Sequence, residues 1–150
     1  VIHQARGEDE ARVTEFYAQH GIAAHVQPFF DDIPTLFAEA QLVISRAGAS
    51  SVADISVIGR PSILVPLGIA ADDHQTANAR GLSEAGGAVV IAEDAFTVEA
   101  VAPQISAILS DPKKATSMAQ AALGAGRLDA TQALTDLTLE LAQSQHKTQK

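Results

Sequence analysis

The sequence contains no cysteine, which excludes a disulfide framework and any zinc site with thiolate ligands. A reducing cytoplasm is the simplest compartment for such a chain. The five histidines show neither H-x-H nor H-E-x-x-H spacing, so an imidazole zinc site is not expected either. We predict that the protein holds no metal ion and needs no other cofactor.

Basic residues are also scarce, because 10 Lys and Arg stand against 18 Asp and Glu and give a formal net charge of -8. A chain of this charge repels a phosphate backbone unless its cations gather on one face. Here they are scattered along the sequence. Nucleic acid is therefore not an expected partner.

Long apolar runs are missing as well. The longest, Ser62 to Ala71, is about half as long as a membrane-spanning helix, and residues 1–30 carry too many charges for a signal peptide. These features predict a soluble protein. The chain opens on Val1 rather than Met and begins at once with strand-like residues, so we expect a fragment of a longer protein.

A chain of 150 residues with 47% hydrophobic content can bury one core, and we expect residues 1–150 to form a single, partial domain. Short β-branched runs predict strands at Val1 to Ala5, His25 to Phe29, Leu42 to Ser45, Ser62 to Pro66 and Ala88 to Ala92. Helical spacing predicts helices at Glu8 to Gln19, Ile33 to Ala40, Ser51 to Ile58, Asp73 to Glu84, Val98 to Leu109, Pro112 to Leu123 and Ala130 to Gln143. The tail Ser144 to Lys150 is expected to be frayed.

Strands and helices alternate, which is typical of right-handed βαβ units. The predicted fold is therefore a Rossmann-like α/β fold, a parallel sheet flanked by helices. In such sheets ligands bind at the carboxyl ends of the strands, so the turns leaving the predicted strands are the candidate sites.

The turn after the third predicted strand runs through Arg46, Gly48, Ala49 and Ser50 straight into a helix. Its small residues let a phosphate approach the main chain, and the free N–H groups and dipole of a helix start attract an anion. Asp54, about one turn further on, can accept hydrogen bonds from the two hydroxyls of a ribose. An ordinary strand-to-helix turn has the same pattern, so this segment alone does not identify a site.

The turn after the fourth predicted strand leads to a helix that Asp72 or Asp73 would cap. His74, Gln75 and Asn78 share one face of this helix and can direct hydrogen bonds to one ligand, such as a sugar. A capped, solvated helix is the alternative interpretation.

The turn after the second predicted strand places Phe30 before two acidic residues and Pro34. Main-chain groups near Phe30 can pair with the edge of a nucleobase, although helix capping by Asp also explains the segment. The acidic pairs Asp31 with Asp32 and Asp72 with Asp73 could gather Mg²⁺, but capping accounts for both without a metal. Hydrolase, P-loop and dinucleotide-binding motifs are absent from the sequence.

Several segments together resemble the MurG family, the peptidoglycan N-acetylglucosaminyltransferases that make lipid II. They are His3-Gln4, Phe29 to Ile33, Ser45 to Ser50, Gly59 to Pro61, Val65-Pro66, Asp73 to Gln75 and Asn78-Ala79. The resemblance runs from residue 1 to about Ala121. It implies the C-terminal, Rossmann-like half of a GT-B glycosyltransferase, which binds UDP-N-acetylglucosamine.

The resemblance also implies roles for single residues. By position, the Phe30 main chain would contact uracil, Asp54 the ribose, Gly48, Ala49 and Ser50 the diphosphate or sugar, and His74, Gln75 and Asn78 the N-acetylglucosamine. Arg46 belongs to the same set of expected substrate-binding residues. The family usually has Glu where this chain has Asp54, which predicts weakened ribose binding.

The Gly-rich G-G-S-Q-G loop of the family occurs nowhere in residues 1–150, so one phosphate clamp is missing. In the family this loop belongs to the strand before Val1. That strand would be central in the sheet, and the chain without it is expected to be poorly stable or self-associating.

The activity that the resemblance implies is transfer of N-acetylglucosamine with inversion, without a metal, to the lipid-linked MurNAc-pentapeptide. The general base and the acceptor site would lie in an N-terminal half, so no catalytic residue is expected in this chain and the chain alone should be inactive. The intact enzyme would serve cell-wall synthesis, cell shape and division as a peripheral protein on the cytoplasmic face of the inner membrane. Alternatives are the donor-binding subunit of a split glycosyltransferase, a non-catalytic nucleotide-binding or interaction module, and a UDP-N-acetylglucosamine 2-epimerase-like enzyme.

Overall fold

The computed structural model describes residues 1–68 and 73–148, and it describes side chains only as far as residue 142. The chain divides into two compact units, Val1–Ala40 and Gln41–Lys150. The single domain expected over residues 1–150 stays a prediction. None of the helices in the described ranges combines the length and the hydropathy that a membrane span requires.

The first unit is one βαβ motif followed by a short helix. Its elements are β1 (Ile2–Gln4), α1 (Gly7–Gln19), β2 (His25–Gln27) and α2 (Ile33–Glu39). The two strands are parallel, with Ile2 opposite His25. His3 Nδ1 hydrogen-bonds the Tyr17 hydroxyl at 3.0 Å, which ties α1 to β1.

The second unit holds a parallel sheet in the order β3-β4-β5, with helices between and after the strands. Its elements are β3 (Val43–Ser45), α3 (Ala49–Ile58), β4 (Ser62–Leu64), α4 (His74–Glu84), β5 (Ala88–Val90), a 3-10 turn (Glu93–Ala95), α5 (Val98–Leu109), α6 (Pro112–Ala125) and α7 (Ala130–Thr148). The central strand β4 is buried along its whole length. Ile63 packs with Ile91, Val101, Ile108 and Met118 in the core.

The predicted parallel α/β fold flanked by helices is confirmed. The single sheet that we expected is replaced by two, because within the described residues β1 pairs with β2 alone and the other three strands pair among themselves. Each strand is shorter than predicted, since hydrophobic runs continue past the last residue that has a ladder partner.

Two helices begin with an aspartate whose side chain caps the helix by accepting main-chain hydrogen bonds. Asp32 accepts a hydrogen bond from Thr35 N, as predicted, and Asp111 accepts two, from Lys113 N and Lys114 N. Helix α7 runs to Thr148 and residues 149–150 lie outside the described part of the chain, so the frayed tail Ser144 to Lys150 stays a prediction. Residues 144–148 contain no Gly or Pro that would end a helix.

Close approach of α6 to the sheet depends on a glycine. Gly87 is buried just before β5, and a Cβ built on it would lie 2.9 Å from the backbone of Ala122 in α6 and 2.8 Å from the Leu82 side chain. Gly81, inside α4, has no atom within 4 Å of the same position. The two glycines therefore form a matched pair, one crowded and one open.

We predict that Gly87→Ala lowers the free energy of unfolding by about 1–3 kcal/mol, because backbone atoms of α6 must move to accept the methyl group. Gly81→Ala should raise it by about 0.5–1 kcal/mol, since alanine is the better helix former. Urea unfolding of the two variants measures both changes. Equal effects of the two substitutions would contradict the packing of Gly87 against α6.

Candidate functional site

The carboxyl ends of β3, β4 and β5 lie at one edge of the second sheet, because the three strands are parallel neighbours. Arg46 directly follows β3, and its guanidinium extends over the end of β4. Nη1 lies 3.5 Å from the carbonyl oxygens of both Val65 and Pro66, and Nη2 donates to Glu93 Oε1 at 2.5 Å. Arg46 is thus at the expected edge, bound to protein groups.

Glu93 lies in the 3-10 turn that follows β5 and has a second partner. Its Oε2 accepts a hydrogen bond from the main-chain N–H of Gly68 at 3.0 Å. We call Arg46, Gly68 and Glu93 the strand-end brace, because each follows a different strand of the sheet. The Arg46 and Glu93 side chains are 49% and 37% exposed, so water screens their attraction and the main effect of the pair is to fix geometry.

The pKa of the Glu93 carboxyl is held below that of an ordinary glutamate. The hydrogen bond from Gly68 N–H is the main cause, and the hydrogen bond from Arg46 is the second. Both donors favour the charged carboxylate over the neutral acid. The brace is therefore a charged arrangement that protonation of Glu93 would release.

Helix α3 begins in the turn after β3 where we predicted anion binding, and we call residues 48–51 at this helix start the anion seat. Gly48 is its N-cap residue and provides no side-chain cap, while Val52 N donates to Gly48 O at 3.0 Å as the first bond of the helix. The N–H groups of residues 49–51 precede that bond and have no partner inside the helix. Ala49 and Ser50 are exposed, and a Cβ on Gly48 would meet only Ser51 Oγ, at 4.0 Å. The seat is open and lined by donors.

Asp54 lies further along α3 and is half-buried. Within the described part of the chain its carboxylate has no hydrogen-bond or ion-pair partner. A half-buried carboxylate without a partner among these residues can accept hydrogen bonds from a ligand. Asp54 lies on the helix that begins at the anion seat, and its contact with a ribose stays a prediction.

Helix α4 starts with the polar residues that the sequence predicts. Two of them, Gln75 and Asn78, form hydrogen bonds to main-chain groups of neighbouring turns. Gln75 Oε1 accepts from Leu67 N at 3.0 Å, and Asn78 Nδ2 donates to Ala47 O at 3.1 Å. His74 is exposed in the first turn of the helix. The structure therefore brings the Asn78 side chain to the loop after β3, which carries Arg46 and Gly48, and the Gln75 side chain to the loop after β4, which carries Gly68.

Asp73 is the N-cap residue of α4, but its side chain makes no capping bond. Its backbone has φ 48° and ψ 26°, the left-handed region, which it alone adopts among the described non-glycine residues. Such a conformation costs an L-residue about 1 kcal/mol, and Asp tolerates it better than most. The alternative cap, Asp72, lies outside the described residues.

Phe30 belongs to the first unit, where its side chain is buried and packs edge-to-face on His25 with ring centroids 5.4 Å apart. Its main-chain N–H and C=O make no hydrogen bond among the residues that the structure describes. Main-chain groups held by a buried side chain and still unpaired can read the edge of a base.

Glu93 and Gly68 were missed by sequence reasoning. The strand-end rule applied equally to the turn after β5, where an acidic residue follows the predicted strand, but a single glutamate carries no motif. No group of three or more His, Asp and Glu side chains in the described ranges could hold a metal ion. The described site offers main-chain donors, a carboxylate and amides, which suit binding of an anionic, hydroxyl-rich ligand.

Comparison with known proteins identifies the family of this chain. The model of the "Glycosyltransferase family 28 C-terminal domain" matches residues 1–134. A crystal structure of MurG from Acinetobacter baumannii superposes with a TM-score of 0.82 and 34% sequence identity, over 93% of this chain and 40% of that one. The resemblance drawn from the motifs is confirmed.

Two curated relatives share the same name, "UDP-N-acetylglucosamine--N-acetylmuramyl-(pentapeptide) pyrophosphoryl-undecaprenol N-acetylglucosamine transferase". The one from Rhodopseudomonas palustris (strain BisB18) is 49% identical over 99% of this chain. The one from Bradyrhizobium sp. (strain ORS 278) is 50% identical over 95% of this chain. The chain spans about 40% of the length of these relatives.

We predict that NMR titration of the Glu93 carboxyl carbon gives a pKa below the ordinary glutamate value, and that Arg46→Met raises this pKa only part of the way, because Gly68 N–H remains. Since the folded-state pKa is the lower one, the stabilisation is complete above the unfolded-state pKa and is lost as the pH falls through the folded-state pKa. An unshifted pKa in the parent would show that the brace does not form in solution.

Proposed function

The chain belongs to the glycosyltransferase family 28 C-terminal domain family, and we propose that it is the donor-binding part of an inverting N-acetylglucosaminyltransferase of peptidoglycan synthesis. The donor is UDP-N-acetylglucosamine, the sugar nucleotide in the name of the relatives. The observation that carries this proposal is the uncapped start of α3 in a chain of this family.

The diphosphate is assigned to the start of α3. The N–H groups of residues 49–51 and the positive end of the helix dipole favour an anion there, and the exposed Ala49 and Ser50 leave room for it. When UDP departs, the same donors would stabilise the charge that develops on its phosphate oxygens. Asp54 would accept hydrogen bonds from the ribose hydroxyls.

The sugar is assigned to the start of α4. Gln75 uses its oxygen on Leu67 N, which leaves its amide hydrogens for a ligand, and Asn78 uses its nitrogen on Ala47 O, which leaves its oxygen. His74 lies exposed in the same helix turn. The N-acetyl group and hydroxyls of the sugar need both donors and acceptors, and these groups supply them. The Phe30 main chain is the proposed uracil contact.

This chain spans about 40% of the length of its relatives. We assign acceptor binding and proton removal to the part of the enzyme that lies outside this chain. We propose that an N-terminal domain supplies the general base and binds the lipid-linked MurNAc-pentapeptide. The name of the relatives includes undecaprenol, a lipid, so we propose that the intact enzyme acts at a membrane surface. We place it at the cytoplasmic face of the inner membrane. This chain contributes orientation of the donor and charge stabilisation of the leaving group.

We predict that UDP-N-acetylglucosamine raises the melting temperature of the chain and that Asp54→Ala removes the rise, because the ribose loses its acceptor. Asp54→Glu restores the family's longer side chain and should tighten binding about threefold to tenfold. Thermal shift and isothermal titration calorimetry measure the two effects.

Asp136→Ala is the matched control, because this exposed carboxylate on α7 bonds only Gln132 among the described residues. It should leave donor binding unchanged. A parent chain that gives no thermal shift and no heat of binding at millimolar UDP-N-acetylglucosamine would refute the donor-site assignment.

A further inference from the structure

The strand-end brace connects the ends of all three strands of the second sheet. Arg46 extends from β3, Gly68 lies in the loop after β4, and Glu93 lies just after β5. The sequence separations are 47 residues between Arg46 and Glu93 and 25 between Gly68 and Glu93. A single carboxylate therefore contacts the loops that follow β3 and β4, and these loops precede the helix starts that the proposed function assigns to the donor.

The hydrogen bonds of Arg46 are directed to the protein. Its Nη1 reaches the carbonyl oxygens of Val65 and Pro66, and its Nη2 reaches Glu93. The planar guanidinium can serve these acceptors together because its N–H groups are held in a rigid fork. Its charge is balanced by Glu93, so it adds little net attraction for a diphosphate. This geometry favours a holding role for Arg46 over direct contact with the donor.

Gly68 lies where the loop after β4 leaves the sheet on its way to α4. A Cβ at this position would lie 3.3 Å from Glu93 Oε2, tighter than an ordinary contact, so the glycine permits the close approach of the carboxylate. Leu67, its neighbour, donates its N–H to Gln75 in α4. The brace and Gln75 thus hold successive main-chain N–H groups of the same loop.

We propose that Glu93 is a positioning residue of the donor site, which holds Arg46 and the Gly68 main chain so that the start of α3 and the start of α4 face one ligand. This inference rests on the proposed function, because the site that it positions is the donor site. Glu93 acts through the loops and does not touch the donor. Its removal should weaken donor binding while the fold remains intact, since its side chain is 37% exposed.

The test is a double-mutant cycle on the full chain, with the affinity for UDP-N-acetylglucosamine measured by isothermal titration calorimetry. Glu93→Ala and Arg46→Met should each weaken binding about tenfold, the loss expected when a charge-assisted hydrogen bond no longer holds the site. The double variant should also lose about tenfold, because the two residues act as one unit. Glu93→Gln should lose less, since its single amide oxygen can keep one of the two bonds.

Asp94→Ala is the control, because this exposed neighbour of Glu93 in the 3-10 turn has no partner among the described residues. It should bind the donor like the parent. Melting temperatures of all variants identify a purely structural role, which would lower the melting temperature and leave the affinity of the folded chain unchanged.

Three results would overturn the inference alone. The first is an unchanged affinity of Glu93→Ala for the donor. The second is tighter binding by Glu93→Ala, which would mean that Glu93 competes with the diphosphate for Arg46. The third is an additive loss of about a hundredfold in the double variant. A parent that does not bind the donor would instead overturn the proposed function, and the inference with it. The affinity of the parent chain for UDP-N-acetylglucosamine therefore distinguishes failure of this inference from failure of the proposed function.

Discussion

Strand β4 is the element on which the second unit depends. Its three residues, Ser62, Ile63 and Leu64, are fully buried, with a parallel neighbour on each side and helices packed around the sheet. A strand buried in this way needs apolar side chains on both faces, which the successive residues Ile63 and Leu64 supply because neighbouring residues of a strand point to opposite faces. Because its neighbours run in the same direction, the ends of three strands reach one edge. The convergence of Arg46, Gly68 and Glu93 is a consequence of that parallel pairing.

The order of elements could be read from the sequence because it depends on local patterns. β-Branched runs, helical spacing and the Asp111 cap act over a few residues, and each predicted helix and strand is present in the structure. Boundaries were less accurate. Helix α3 starts at Ala49 instead of Ser51, because a glycine N-cap needs no polar side chain and leaves no capping signal. The predicted anion seat is therefore the first turn of the helix itself.

The brace could not be read from the sequence because its contacts join residues far apart in the chain. Arg46 and Glu93 are 47 residues apart, and neither spacing nor composition indicates that a glutamate in the turn after β5 contacts this arginine. The roles of Gln75 and Asn78 were hidden for a similar reason. Helical spacing placed them on one face, but only the fold shows that Leu67 and Ala47 lie within hydrogen-bond distance.

These contacts give the polar residues of the site a fixed orientation. A free amide side chain can turn to present either its oxygen or its nitrogen to a ligand. Gln75 is held by Leu67 N through its oxygen, and Asn78 by Ala47 O through its nitrogen, so the first presents donors and the second an acceptor. The loops that carry these main-chain partners are the loops that the brace connects. A site whose hydrogen-bond pattern is set before the ligand arrives loses less entropy on binding, which is the advantage that the strand-end brace gives to the proposed donor site.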